Sequence, residues 1–237
     1  MNALTVAKRD FGAYFRSPIA YVVLSIFLLL SGFLFFQALF GSGERASMAP
    51  LFGPMPLMLS FFAPAITMGL LAEEKGSGSI ELLTTFPLRD WEIVLGKYLA
   101  ACGLYTVGVL LTLPYLITVA KLGPLDLGPA LAGYLGLLLL GYAYLAIGLM
   151  ASSLTRHQIV AFIIALFICM MFFLWGMAVP SLPRSLKPLA EYLAADRHLA
   201  RMVDGQVDPR SLMFLVSLAA LPLLVAWQSL ESRRWSR

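Results

Sequence analysis

Six charge-free stretches divide this chain. The windows 17–43, 46–72, 98–120, 127–155, 157–183 and 211–230 contain no Asp, Glu, Lys or Arg, and each holds at least 20 residues rich in Leu, Phe, Ala and Ile. A helix needs roughly 20 apolar residues to cross the ~30 Å hydrocarbon core of a bilayer. No water is present there to bond the backbone, so a spanning segment must pair its own N–H and C=O groups, which selects helix over open strand. The pattern predicts an all-α polytopic membrane protein with six transmembrane helices. Charged residues make up 13% of the chain, against about 25% in an ordinary soluble domain. A soluble core could explain one or two such runs, but not six in 237 residues.

The apolar run Ile19–Phe40 exceeds the ~7–15 residues of a signal-peptide core and ends without a small-x-small cleavage site, so it reads as a retained anchor. The two cysteines, Cys102 and Cys169, both fall inside spans. They read as small apolar packing groups, not as a disulfide or metal site. The net charge of +4 reports basic residues flanking the spans, and no nucleic-acid signature accompanies it. With the N-terminus inside, ten Lys and Arg fall in inner segments and seven in outer ones, five of those seven within 184–210. The bias favours both termini in the cytoplasm.

Residues 1–17 predict an interfacial helix. Leu4, Phe11 and Phe15 recur at near-helical spacing, with Lys8, Arg9 and Asp10 between them. Ser17-Pro18 then turns the chain into the membrane. In the second span, Pro50, Pro54 and Pro56 predict an irregular outer start, and Pro64 a kink. Pro114 can do the same in the third. The fourth carries Gly133, Gly136, Gly141 and Gly148. Small residues let helices approach closely in lipid, either within the chain or against a second copy.

No span carries an Asp, Glu, Lys, Arg or His in its interior. Ion-coupled carriers place such groups in the bilayer to bind the coupling ion. A nucleophilic hydrolase needs His beside its nucleophile, whereas His157 sits at a span end and His198 in a loop. No His/Asp/Glu cluster has metal-ligand spacing. Thr106, Thr112, Tyr105, Tyr115, Tyr142 and Tyr144 suit hydrogen bonding between helices.

The polar segment 73–97 follows the second span. Gly76 and Gly78 end the membrane helix. Ser79 can open a short new one with Glu81 near its positive end, which would place Ile80, Leu83 and Phe86 on one side. Pro87 stops it, and Asp90 caps the helix into span three. Glu73 and Glu74 lie where span two meets the cytosol, and Glu74 is the better candidate for a partner, a basic residue of another subunit or Arg16. A short helix, apolar on one side and exposed to cytosol, suits docking into another protein.

The residues of this segment resemble the coupling segment of ABC-2 type transporter permeases: Glu73-Glu74-Lys75, then Gly78-Ser79-Ile80-Glu81-Leu82-Leu83, Thr85 and Pro87-Leu88, and Trp91-Glu92-Ile93-Val94-Leu95-Gly96-Lys97. A second stretch, His198 to Asp208 with Met202 and Gly205, is similar to the His-aromatic-x-x-Phe-x-x-Gly-Val-Ile-Asp segment of the gliding-motility-type branch. It departs from that pattern at Leu199, Met202 and Gln206-Val207.

The resemblance implies one ABC-2 type transmembrane domain over 1–237, with an extracytoplasmic segment at 181–210 whose His198, Met202, Gly205 and Asp208 belong to a cap. It implies a permease of the cytoplasmic (inner) membrane that couples ATP hydrolysis by separate cytosolic ATPase subunits to export. A second permease copy or a related permease, and membrane lipid, complete the assembly. The chain itself carries no G-x-x-x-x-G-K-[ST] loop, so it reads as a non-enzyme, with ATP and Mg bound by the partner ATPase. The alternative is a mechanotransmission or assembly component that passes ATPase motion to an extracytoplasmic accessory protein. For 184–210 the alternatives are two short capping helices or plain surface decoration, with Asp204-Gly205 as a turn and Asp208-Pro209 opening span six.

Overall fold

A computed structural model describes residues 2–42, 47–79 and 89–232. Among these residues the chain forms twelve α-helices and no strand. Helix α1 is Ala3–Arg16, α2 Pro18–Ser42, α3 Ala49–Phe52, α4 Met55–Thr67 and α5 Gly69–Gly76. Helix α6 is Asp90–Leu110, α7 Leu113–Leu122, α8 Leu127–Leu154 and α9 Gln158–Ala178. Helices α10 (Lys187–Leu193), α11 (Ala195–Val203) and α12 (Pro209–Glu231) complete the fold. Six stretches are long and apolar enough to cross a membrane: Pro18–Leu39, Met55–Gly76, Asp90–Leu122, Leu127–Leu154, Gln158–Ser181 and Pro209–Glu231.

The breaks fall where the backbone chemistry demands them. Ser17 is extended (φ −96°, ψ 142°) and Pro18 opens α2, the turn expected between interfacial helix and first span. The second span is split at Gly53-Pro54, and again at Met68, four residues after Pro64. The third is interrupted at Leu111-Thr112, just before Pro114. At the Met68 break, Ser152 of α8 repairs the backbone. Its hydroxyl accepts from the Leu71 and Ala72 N–H groups at 3.0 Å and donates to the Met68 carbonyl at 2.9 Å. A kinked spanning helix is tolerated only where freed backbone groups find partners in this way.

Helix α8 is the hub. It packs against α4, α5, α6, α9, α11 and α12, and four of its five glycines make those contacts possible. Gly133 lies against the Phe52 ring, Gly136 against Leu199 and Met202, Gly141 against the Tyr105 ring and Gly148 against Thr67. Of the two readings left open by the glycines, close packing within the chain is the one formed. Of the polar residues expected to stitch neighbouring helices, Tyr105, Thr106, Thr112, Tyr115 and Tyr142 do so, whereas the buried Tyr144 Oη finds no hydrogen-bond partner among the described residues. Tyr105 Oη donates to the Leu137 carbonyl at 2.7 Å, Thr106 bonds Tyr142 Oη at 2.8 Å, and Tyr115 Oη donates to the Leu28 carbonyl at 3.1 Å. Around this centre, α2, α9 and α12 turn large apolar side chains outward, among them Leu29, Phe33, Phe167 and Met213, as lipid-facing helices do.

Both ends of the described chain meet at one end of the bundle. Val6 of α1 shares a cluster with Leu71, Ile93, Val94 and Leu230 of α12. Helix α1 lies along α6 through Val6 and Ala7, which are buried, with Phe11 abutting Gly103. Leu4, 75% exposed, points away from the protein. Only part of the apolar side predicted from periodicity is therefore free for lipid. Asp90 is not the cap of the third span: it is the first helical residue, and Glu92 accepts from the Arg89 N–H at 2.9 Å instead. The cap moves back one residue because Glu92 reaches that N–H from the third position of the helix.

Candidate functional site

At the end that holds α1, three separate segments converge on one amine. Lys97 Nζ donates to Glu74 Oε1 at 2.7 Å and to Asp10 Oδ2 at 3.2 Å, and the Lys97 side chain is 3% exposed. Arg9 closes the group, 2.7 Å from Asp10 Oδ1 and 3.8 Å from Glu74 Oε1. The hydrogen bond to Asp10 pushes the Arg9 guanidinium above its ordinary range. An amine this deep is tolerated because two carboxylates pair with it. Burial also raises the phenol of Tyr14, whose Oη donates to the Ile66 carbonyl at 2.9 Å and ties α1 to α4.

Glu74 therefore has an internal partner. The pairing considered with Arg16 is not the one formed, because Arg16 ends α1 while Arg9 and Asp10 sit midway along it beside Lys97. Glu73 is exposed, next to Gln158 over Gly69. Lys75 is buried and donates to the Ser153 carbonyl, which also accepts from Ser229 Oγ at 2.8 Å. Gly76 ends α5 as expected, and a Cβ there would lie 2.8 Å from the Arg156 carbonyl oxygen. Gly78 takes φ +74°, the left-handed conformation that glycine adopts at little cost. Ile80, Glu81, Leu83, Phe86 and Pro87 lie outside the described residues.

Sequence reasoning placed Lys97 at the interface and overlooked Asp10, Ser152 and Ser153 as partners. The charge-free windows stop at residue 98, yet α6 begins at Asp90. The one available signal was that Lys97 falls two helical turns inside that helix, too deep for a flanking residue.

At the opposite end, α10 and α11 form the two short helices expected from 184–210. Helix α11 packs against α8. Its Leu199 and Met202 reach Gly136, nine residues into α8, about 14 Å along that helix at 1.5 Å per residue. Trp175 Nε1 donates to the Ala190 carbonyl at 3.2 Å and holds α10 to the end of α9. Gly205 closes α11 at φ +82°, and Asp208 caps α12 by accepting from the Arg210 N–H at 2.9 Å.

His198 is fully buried and stacks on Phe214, with ring centroids 4.3 Å apart. Its Nε2 faces the Tyr192 carbonyl at 2.8 Å, so Nε2–H donates. Nδ1 then accepts from Ser211 Oγ at 2.9 Å and from Arg201 Nη2 at 2.8 Å. This arrangement fits the neutral ring, and burial lowers the His198 pKa. Asp196 lies against Gly176 of α9, and burial raises its carboxyl. Charge thus enters both ends of the bundle from segments outside the charge-free windows.

Residues 42–194 match the family described as ABC-2 family transporter protein. The chain belongs to that family. The match covers more than half of the chain and runs from the end of α2 through α10. No curated protein matches the chain. This ABC-2 family member is a multi-pass membrane protein and a permease component of an ABC exporter, and membership implies association with ABC ATPases. The segment joining spans two and three lies within the matched residues, whereas α11 and α12 lie beyond them.

Proposed function

We propose that this permease takes the stroke of a cytosolic ABC ATPase at residues 76–88 and converts it into a tilt of spans two and three that drives export. Both termini then lie in the cytoplasm, and ATP and Mg are held by the ATPase. A second copy of the chain, or a related permease, completes the translocation path. Affiliation with the gliding-motility-type branch belongs to the same proposal. It is carried by His198–Asp208, which lies beyond the matched residues 42–194.

The observation that carries the proposal is where α5 is tied. This last helix before the coupling segment is anchored to α1 and α6 through Glu74, Lys97 and Asp10, and to α8 through Ser152 and Lys75. A displacement of residues 76–79 is therefore passed directly to three other elements. A stroke can bias the bundle only to the extent that its two states bind the ATPase differently.

The docking surface is tested with Leu83→Asp. A charge placed at an apolar contact must lose water on docking. The variant is expected to insert and purify as wild type while retaining little ATPase on co-purification. Wild-type retention of the ATPase would remove this segment as the main contact.

A further inference from the structure

Beside the Lys97 cluster, a cavity of about 500 Å³ opens between α1, the Met68 break and the start of α9. One side is apolar, with Ile19, Ala65, Ile66 and Leu70 in its lining. The other side carries Asp10, Glu73, Glu74 and Lys97. Asp10 and Glu74 pair with two cations, Lys97 and Arg9, and the exposed Glu73, in no ion pair among the described residues, adds one negative charge in excess. Among the described residues Glu74 Oε2 is buried and has no hydrogen-bond partner, although Oε1 of the same carboxylate is paired. A buried acceptor without a donor is costly, so a ligand that supplies a donor or a cation there is favoured. Tyr14 also lines the cavity, and an aromatic ring adds attraction for a cation.

From this geometry we infer that the cavity binds a monocationic amphiphile: a protonated or quaternary amine at Glu73 and Glu74, with its apolar body along Ile19, Ile66 and Leu70. The single excess charge selects a net cation over a zwitterionic headgroup. The volume suits a ligand of drug-like size, smaller than a diacyl lipid. The apolar side of the cavity lies where α1 turns into the first span at Ser17, so the ligand enters from the bilayer boundary. Occupation would place a charge beside the Lys97 cluster that ties α5 to α1. The inference deepens the export reading by giving the ligand a chemical class, but its test needs no ATPase.

Binding is measured with the full-length permease in neutral-lipid nanodiscs, using fluorescent dodecyltrimethylammonium as the probe and empty discs as the reference. Dodecyl maltoside and dodecyl sulfate compete as neutral and anionic amphiphiles of the same chain length. The expected result is saturable binding of the cation, displaced by unlabelled cation and not by the other two. Glu73→Gln, which alters an exposed side chain outside the ion-paired core of the cluster, is expected to weaken binding about fivefold, and Glu74→Gln about tenfold. Equal competition by the neutral amphiphile would overturn the inference, as would unchanged affinity in both variants. Binding that passes these tests while the ATPase fails to couple would leave the site standing and remove the export reading.

Discussion

Lys97 Nζ lies 2.7 Å from Glu74 Oε1, across the contact between the third span and the last turns of the second. The same nitrogen reaches Asp10 on α1, 87 positions away in sequence. One amine thus joins α1, α5 and α6. Partly buried charges need this mutual pairing. Removing one member leaves the others without compensation, which costs more than the pair itself contributes.

Lys97→Met keeps the length of the side chain and removes its charge. It is expected to destabilise the fold by about 2–3 kcal/mol, below the full cost of an orphaned buried charge because both carboxylates keep some contact with water. Adding Glu74→Gln is expected to recover part of that loss. Chemical unfolding of the single and double variants in detergent gives the coupling between them. Additive losses would show that the two side chains do not interact.

The glycines separate packing from propensity. Gly141 faces the Tyr105 ring directly, whereas a Cβ on Gly12 of α1 meets nothing within 4 Å. Gly141→Ala is expected to cost about 1–3 kcal/mol through overpacking. Gly12→Ala is expected to gain about 0.5–1 kcal/mol, because alanine loses less backbone freedom in a helix. Unfolding midpoints that shift in the same direction for both would contradict the close packing of α8.

His198 predicts a pH dependence of definite sign. Burial lowers its folded pKa, Arg201 lowers it further, and Tyr192 and Asp208 oppose them. The unfolded ring titrates near 6.5. Protonation is therefore easier when the chain is unfolded. The contribution is present in full above about pH 6.5 and is lost as the pH falls from there through the folded pKa. Asp196 works the other way in a more acidic range, since burial raises its pKa above the ordinary carboxyl value. His198→Gln is expected to flatten the stability profile between pH 7 and 5, read from thermal unfolding at each pH. An unchanged slope would mean that another group titrates there.

What could be read from the sequence was local. Ser17-Pro18, Gly205 and Asp208-Pro209 carry their turn and cap chemistry within a few residues, so the breaks fall where they were expected. The six spans follow from the length of the apolar runs. The ion-pair cluster could not be read in this way, because Asp10, Glu74 and Lys97 meet only once the faces of α1, α5 and α6 are set against one another. The glycine partners Phe52, Tyr105 and Met202 likewise depend on the order in which helices surround α8. Family likeness drew attention to His198, but its neutral ring follows from the Tyr192 carbonyl, Ser211 and Arg201, which no pattern spacing reveals.

The most direct measurement is ATP hydrolysis by the purified permease–ATPase complex in nanodiscs, comparing wild type with the Glu74→Gln, Lys97→Met double variant. The double variant removes one charge of each sign and leaves Asp10 paired with Arg9. If the cluster carries the ATPase stroke into the bundle, the ATPase stays bound and permease-dependent stimulation of hydrolysis falls about tenfold or more, a loss of roughly 1.4 kcal/mol of coupling. Wild-type stimulation by a well-folded complex of the double variant would contradict that role.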